Sequence, residues 1–378
     1  MVLDRRTLLT SSFAACAAAS LPGVAPGQDS ADYLGGLHEQ AKREGELTWY
    51  IAHWRVEIAE RVARRFTEVY PGVKCNVVRA TGQVIYLRLS QDLKAKVANC
   101  DVFSSTDLGQ YVSLKAAKQL MPFAPRNLAD CSPLVTNYDP DRAYTITDGN
   151  TTVLAYNSDL VSAADAPRKW LDLIDPKWKS QVAVAHPGFS GAMGGGVLSM
   201  TNMYGWEFFE KLKANRPQVG RSLTDPPTTV ASGERKIGIG SGASVFGYAA
   251  RGTSLKGVYP EDGAIVSFSP SAIVATTTRP NAAKLFLEFL LSRESAAITS
   301  SEFTVPVRTD VTPAPGIHPL GTLKGITKNP AELHERIPDL IERWQAGAKT
   351  VWAVRRKREG EKAGTIGFAR LYYGLMRR

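Results

Sequence analysis

The chain has 378 residues, a formal charge of +10, 44% apolar residues and 22% charged ones. That length exceeds one typical domain, and the composition is that of a soluble globular protein, which excludes a disordered or fibrous chain. The basic balance favours acidic partners. No nucleic-acid-binding motif accompanies it, however, and its one dense block, Arg355-Arg356-Lys357-Arg358, reads as a solvated helix face, so nucleic acid is not an expected partner.

At the amino terminus Asp4-Arg5-Arg6-Thr7-Leu8-Leu9 precedes a small, apolar run, Phe13 to Leu21, followed by Pro22, Gly23 and Pro26. A basic start, a modest apolar core and small residues predict an export signal over residues 1–28, too short to stay in a bilayer. Cleavage is expected between Ala19 and Gln28, leaving a periplasmic protein. The twin arginine suggests the Tat route, with plain Sec export as the alternative. Phe13-Ala14-Ala15 before Cys16 is a poor lipobox, so no lipid anchor is expected, and no other stretch reads as a transmembrane helix. Cys75, Cys100 and Cys131 remain in the mature chain, which allows one bridge or buried free thiols but no disulfide framework. The five histidines are scattered without metal-ligand spacing, so no metal and no cofactor are expected.

Next in order, Tyr33 to Glu44 has helical spacing and stops at Gly45. Leu47 to Ile51 reads as a strand, with Ala52-His53-Trp54 in the loop after it. A helix over Val56 to Val69 follows, with Ile58, Val62, Phe66 and Val69 on one face. Val73 to Arg79 is the second strand, Ala80 to Gln83 its loop and Ile85 to Val97 the second helix. Asp101 to Phe103 is the third strand, and Ser104 to Asp107 the loop beyond it. Three such units predict a parallel, twisted sheet whose loops share one edge. His53, Trp54, Thr81, Gly82, Ser105 and Thr106 can therefore converge there.

Ala143 to Asp148 and Thr152 to Tyr156 look extended, with Asp148-Gly149-Asn150 as a turn between them. Val182 to Ala185 is a strand, Pro187 to Ala192 its loop, and a helix begins near Met193 despite Gly194, Gly195 and Gly196. Three helix glycines cost roughly 1 kcal/mol each against alanine, so the backbone must come close either to a ligand or to a neighbouring element. Gly205 to Asn215 reads as a surface helix, and Pro217 to Thr229 as a connection. Then VASGERKIGIGSGAS runs through a strand at Ile237 to Ile239 into Ser241, Gly242, Ala243 and Ser244. PEDGAIVSFSPSAIV makes a turn and an extended stretch, and PNAAKLFLEFLLS an amphipathic helix. Thr304 to Val307 is extended, Ala331 to Ala346 is a helix bracing the back, and from Thr350 the tail is basic.

The stretch Val230 to Ser292 resembles the periplasmic solute-binding proteins of ABC importers, in the branch that includes the ferric-ion binders. KWLDLIDPKWKSQVAVAHPG is a second close likeness, and the similarity runs from about Glu44 to Val311. The resemblance implies an α/β chain with the two-lobed type II periplasmic-binding-protein fold. Its sheets would be mainly parallel, with two extended interlobe crossings near Asp148–Thr152 and Ala264–Ser269. Lobe 1 would take residues 29–148 and 266–345, lobe 2 residues 149–265, and residues 346–378 a helical tail. It also implies a monomer that captures a small-molecule solute between closing lobes and delivers it to a membrane ABC permease.

The ferric site itself departs from the family pattern. Ala243 and Ser244 stand where the family has adjacent tyrosines, and Thr106 where an acidic ligand is common, with Asp107 one step on. His53 lies one residue off the ligand histidine, and Asn150 and Thr152 replace anion-gripping arginines. The expected solute is therefore a small organic anion: a carboxylate, phosphonate or phosphate ester. Ferric ion is the alternative and an enzyme on the same scaffold the second one. No nucleophile elbow, phosphate loop or HExxH motif is present to support catalysis. The expected ligand set is His53, Trp54, Thr81, Gly82, Ser105, Thr106, Asn150, Thr152, Ser190, Gly191, Ser241 and Ser244, with Trp54 stacking on the solute or packing a lobe. Protonated His53 would donate one charge-assisted bond.

Overall fold

The computed structural model describes residues 26–323, 325–326, 332 and 335–346. The expected export signal, apart from its last few residues, and the basic tail lie outside them.

Lobe 1 opens with α1 (Pro26–Glu44), which Gly45 ends at a φ of 76°. The predicted units follow as β1 (Glu46–Ile51), α2 (Val56–Val69), β2 (Lys74–Arg79), α3 (Gly82–Ala95) and β3 (Val102–Ser104). The strands pair in parallel in the order β2-β1-β3. Ile58, Val62 and Phe66 of α2 are buried, as their spacing predicts. α3 begins three residues before the expected Ile85, because Thr81 takes the cap position and its carbonyl accepts the first helical bond from Ile85. Then come α4 (Leu108–Ala116), β4 (Leu120–Met121) and the single turn α5 (Pro133–Thr136).

The chain next crosses to lobe 2 on one unbroken strand, β5 (Thr145–Asn157). No turn forms at Asp148-Gly149-Asn150, despite their turn propensity. Gly149 is paired on both sides, in register with Phe268 and by two backbone bonds of 3.2 and 2.9 Å with Val305. A Cβ there would sit 3.0 Å from the Val305 carbonyl oxygen, so glycine is what lets the third chain segment approach.

Lobe 2 contains β6 (Val182–Ala185), α6 (Gly191–Tyr204), α7 (Glu207–Ala214), β7 (Gln218–Gly220), α8 (Asp225–Ala231), β8 (Ile237–Ser241), α9 (Gly242–Ala250) and β9 (Leu255–Val258). The stretch expected to be a mere connection thus holds β7 and α8, and α7 buries Phe208, Phe209 and Leu212 rather than lying loosely on the surface. The return crossing is β10 (Ala264–Val274), antiparallel to β5 along most of its length. Both crossings are therefore antiparallel, and they join the two parallel sets into one sheet ordered β2-β1-β3-β10-β5-β8-β6-β7.

α10 (Pro280–Leu290) goes back to lobe 1 and is buried on nearly all sides, not on one face. Its first amides donate to Glu44, at 3.1 Å from Asn281 and 2.7 Å from Ala282, so a residue remote in sequence caps it. After α11 (Arg293–Ser300) and the pair β11 (Gly325–Ile326), residues 335–346 form a last helix. Cys75, Cys100 and Cys131 are free thiols. Among the described residues no helix is long and apolar enough to cross a membrane.

Candidate functional site

The carboxyl ends of the parallel strands in the two lobes face one another. From lobe 1, β1 leads to His53 and Trp54, β2 to Thr81 and Gly82, and β3 to Ser105, Thr106 and Asp107. From lobe 2, β6 leads to Ser190 and Gly191, and β8 to Ser241 and Ser244. The lobes meet where a Cβ on Gly191 would fall 2.9 Å from Cα of Asp107. Gln83, in the first turn of α3, donates through Nε2 to the carbonyl of Gly188 at 3.0 Å. Two helix amino termini, those of α3 and α6, are thereby drawn to one seam, each with the positive end of its dipole.

Thr81 is exposed, extended at φ −67° and ψ 156°, and its hydroxyl makes no bond to the helix it precedes. Gly82 lies against Ser105, whose Oγ would be 3.5 Å from a Cβ there, and Gln110 donates to the Gly82 carbonyl at 3.3 Å. Ser105 is less available than its position suggests. It is fully buried, its amide donates to Tyr111 Oη at 2.8 Å, and its Oγ accepts from the Asp107 amide at 3.3 Å. Ser190 Oγ accepts from the Met193 amide at 3.3 Å and so caps α6.

Thr106, Asp107, Gly191 and Ser267 line one pocket between the lobes together with the apolar Leu108, Phe268 and Ile337. Ser267 is the register partner of Asn150, and Asn150 Nδ2 donates to Ser241 Oγ at 2.8 Å. Thr152 pairs with Ser241 in register but is only 1% exposed. Ser244 is half-buried in the first turn of α9.

His53 and Trp54 depart from their expected roles. Trp54 is 4% exposed, packs edge-to-face on Trp49 and donates Nε1 to Asp148 Oδ2 at 2.8 Å. It is a core residue at the crossing and has no face free to stack on a solute. His53 packs on Trp54 with both ring nitrogens buried and, among the described residues, without a hydrogen-bond partner. Burial, reinforced by the nearby Arg79 charge, lowers its pKa to about 3. At neutral pH it is therefore uncharged, and the expected charge-assisted bond does not form. Burial also raises Asp148 to about 7, opposed by its hydrogen bond from Trp54 and by the nearby Thr304 hydroxyl and Gly149 amide.

Sequence reasoning passed over the nearest cation. Arg79 ends β2 and donates Nε to the Trp54 carbonyl at 3.0 Å, which fixes the guanidinium between the first two loops. Burial lowers its pKa from the usual arginine range and Glu57 counteracts this, yet an arginine keeps its charge in a protein. A basic residue at the last position of a strand that feeds the ligand edge was a usable signal. Gln83 and Ser267 could have been found from the same edge and from alternation along β10; nothing local marks Ile337. Among the described residues no group of three or more His, Cys, Asp or Glu is placed to hold a metal ion.

Residues 99–327 match the family described as bacterial extracellular solute-binding protein. The chain belongs to this family. The solute-binding protein is 25% identical over 336 residues to a Salmonella typhimurium periplasmic protein whose name proposes 2-aminoethylphosphonate binding, covering 83% of this chain and 88% of the relative. It is 22% identical over 306 residues to the major ferric iron-binding protein of Neisseria meningitidis serogroup B, covering 78% and 90%. Its fold matches the periplasmic binding protein AfuA of Actinobacillus pleuropneumoniae, solved with fructose-6-phosphate, with a TM-score of 0.70 at 22% identity, covering 79% of this chain and 97% of that one. The two-lobed fold is thus the one the sequence predicts, and the relatives are binding proteins.

Proposed function

We propose that this solute-binding protein is an exported, monomeric periplasmic receptor that captures a small organic anion between its lobes and hands it to an ABC permease. One observation carries the choice of an anion: the amino termini of α3 and α6 converge on a single seam, and Arg79, at the end of the strand that feeds α3, holds its guanidinium on the neighbouring loop after β1. Helix amides at Thr81–Gln83 and Ser190–Ala192, with a fixed positive charge nearby, suit the oxygens of a phosphonate, phosphate ester or carboxylate. The names of the Salmonella and Actinobacillus proteins agree with this class of solute.

Ferric ion is the second reading. It is favoured by the Neisseria relative and by His53, which is neutral at neutral pH and so carries one unprotonated ring nitrogen with no hydrogen-bond partner among the described residues. Catalysis has less support, because the hydroxyls of Ser190 and Ser241 are bonded to a backbone amide and to Asn150 rather than to a base.

Thermal shift with 2-aminoethylphosphonate, fructose 6-phosphate, citrate and ferric citrate tests the proposal. A ligand at 100 times its Kd adds about 2.7 kcal/mol of stability, so a true solute raises the melting temperature clearly. A large shift with ferric citrate, and none with any iron-free anion, would replace the anion reading with the ferric one.

A further inference from the structure

We propose that the helix over residues 335–346 forms a wall of the solute cleft, and that Ile337 sets how long a solute the closed cleft accepts. The proposal rests on the anion reading for the chemistry of the solute's head and adds what bounds its other end.

The helix is attached to lobe 2 and not, as the expected bounds of lobe 1 have it, to lobe 1. Ile337 Cγ2 would lie 3.3 Å from a Cβ on Gly194, and Ile341 Cγ2 3.4 Å from one on Gly188. Arg336 donates to Asn202 Oδ1 at 2.9 Å, Arg343 sits over the Trp206 ring, and Trp344 packs on Phe209. Gly194 of the α6 glycine run is thereby explained. Gly194 admits Ile337, and Gly196 lies against Ile265, whose Cδ1 would be 3.6 Å from a Cβ there. The close approach is to neighbouring elements, and one of them is this helix.

Ile337 nevertheless borders lobe 1. It is 7% exposed and lines the same pocket as Thr106 and Leu108 of lobe 1 and Gly191, Ser267 and Phe268 around the seam. A side chain that moves with lobe 2 and ends against lobe 1 closes its part of the cleft only when the lobes come together. The lining mixes the polar Thr106, Asp107 and Ser267 with the apolar Leu108, Phe268 and Ile337. A mixed lining of this kind suits a solute with a polar head and a short apolar tail, and Ile337 is where that tail would end.

Two measurements test this. The first is placement: in the double variant Thr106→Cys/Ile337→Cys, a short bismaleimide should cross-link the two positions. Failure to cross-link while each thiol reacts singly would overturn the inference, whatever the protein binds. The second is length: calorimetry with methyl-, propyl- and pentylphosphonate on wild type, Ile337→Ala and Ile337→Trp. Ile337→Ala should raise the ratio of pentyl- to methylphosphonate affinity by about 5-fold or more, and Ile337→Trp should lower it, since each methylene in a fitted pocket is worth at least that much. A uniform change at all three lengths would mark Ile337 as merely structural and end the proposal. Should wild type bind none of these phosphonates, the ratio is read with acetate, butyrate and hexanoate. If it binds none of those either, the cleft takes no alkyl-tailed anion and the length role ends, whether or not an anion of the thermal-shift panel binds.

Discussion

Trp54 donates its indole N–H to Asp148 Oδ2 across 2.8 Å, tying the loop after β1 to the point where β5 leaves lobe 1. Asp148 is 3% exposed, and burial raises its pKa from 3.8 to about 7. A carboxyl that holds its proton better folded than unfolded stabilises the fold most below its unfolded pKa. That contribution is lost as pH rises through about 7. Asp148→Asn, which keeps an acceptor for Trp54, should therefore gain on wild type with rising pH. At pH 8.5 its melting temperature should be several degrees higher, equivalent to about 1–3 kcal/mol, and at pH 4 the two should match. Parallel melting curves across that range would refute a buried ionisable carboxyl.

His53 has the opposite sign. Its folded pKa of about 3 lies below the ordinary 6.5, so the unfolded chain binds the extra proton. Stability should be full above pH 6.5 and fall as pH drops toward 3. His53→Phe keeps an apolar ring beside Trp54 and should remove part of that acid loss, about 1–4 kcal/mol. Denaturation midpoints at pH 7 and pH 4 for both proteins measure it, and an undiminished acid loss in the variant would assign the effect elsewhere.

Gly191 meets Asp107 so closely that any side chain must hold the lobes apart. Gly191→Val should leave each lobe folded, increase the radius of gyration in X-ray scattering and weaken solute binding by about 10-fold or more. Wild-type compaction together with wild-type affinity would show that the seam is not needed for capture.

Arg79 supplies the fixed charge beside the cleft. Arg79→Met should weaken binding of an organic anion by about 10- to 100-fold, the worth of hydrogen bonds to a charged group. Arg79→Lys should recover part of it, because a lysine restores the charge without the planar fork. Equal affinity in all three proteins, by calorimetry at low salt, would remove Arg79 from the site.

Gly149 joins three chain segments at the crossing. Gly149→Ala places a methyl 3.0 Å from the Val305 carbonyl oxygen and should cost about 1–3 kcal/mol in urea unfolding. A cost near zero would mean that the Val305 segment shifts freely.

What local sequence could decide, it decided. The periodicity of Val56–Val69 and the apolar run Val182–Ala185 mark a helix and a strand whose ends the structure keeps. Alternating strands and helices imply parallel sets with their loops on one edge, and Thr81, Gly82, Thr106, Ser190, Gly191 and Ser241 do lie at those strand ends. Only the tertiary structure decided what lay between those edges. Asp148-Gly149-Asn150 favours a turn in isolation, but pairing to Phe268 and Val305 makes it strand. Trp54 and His53 share one loop, yet burial and Asp148 turn one into core and strip the other of its charge. Gly194 of α6 answers to Ile337, far along the chain. In each case the deciding term is desolvation or steric fit against residues remote in sequence, and no local pattern carries that information.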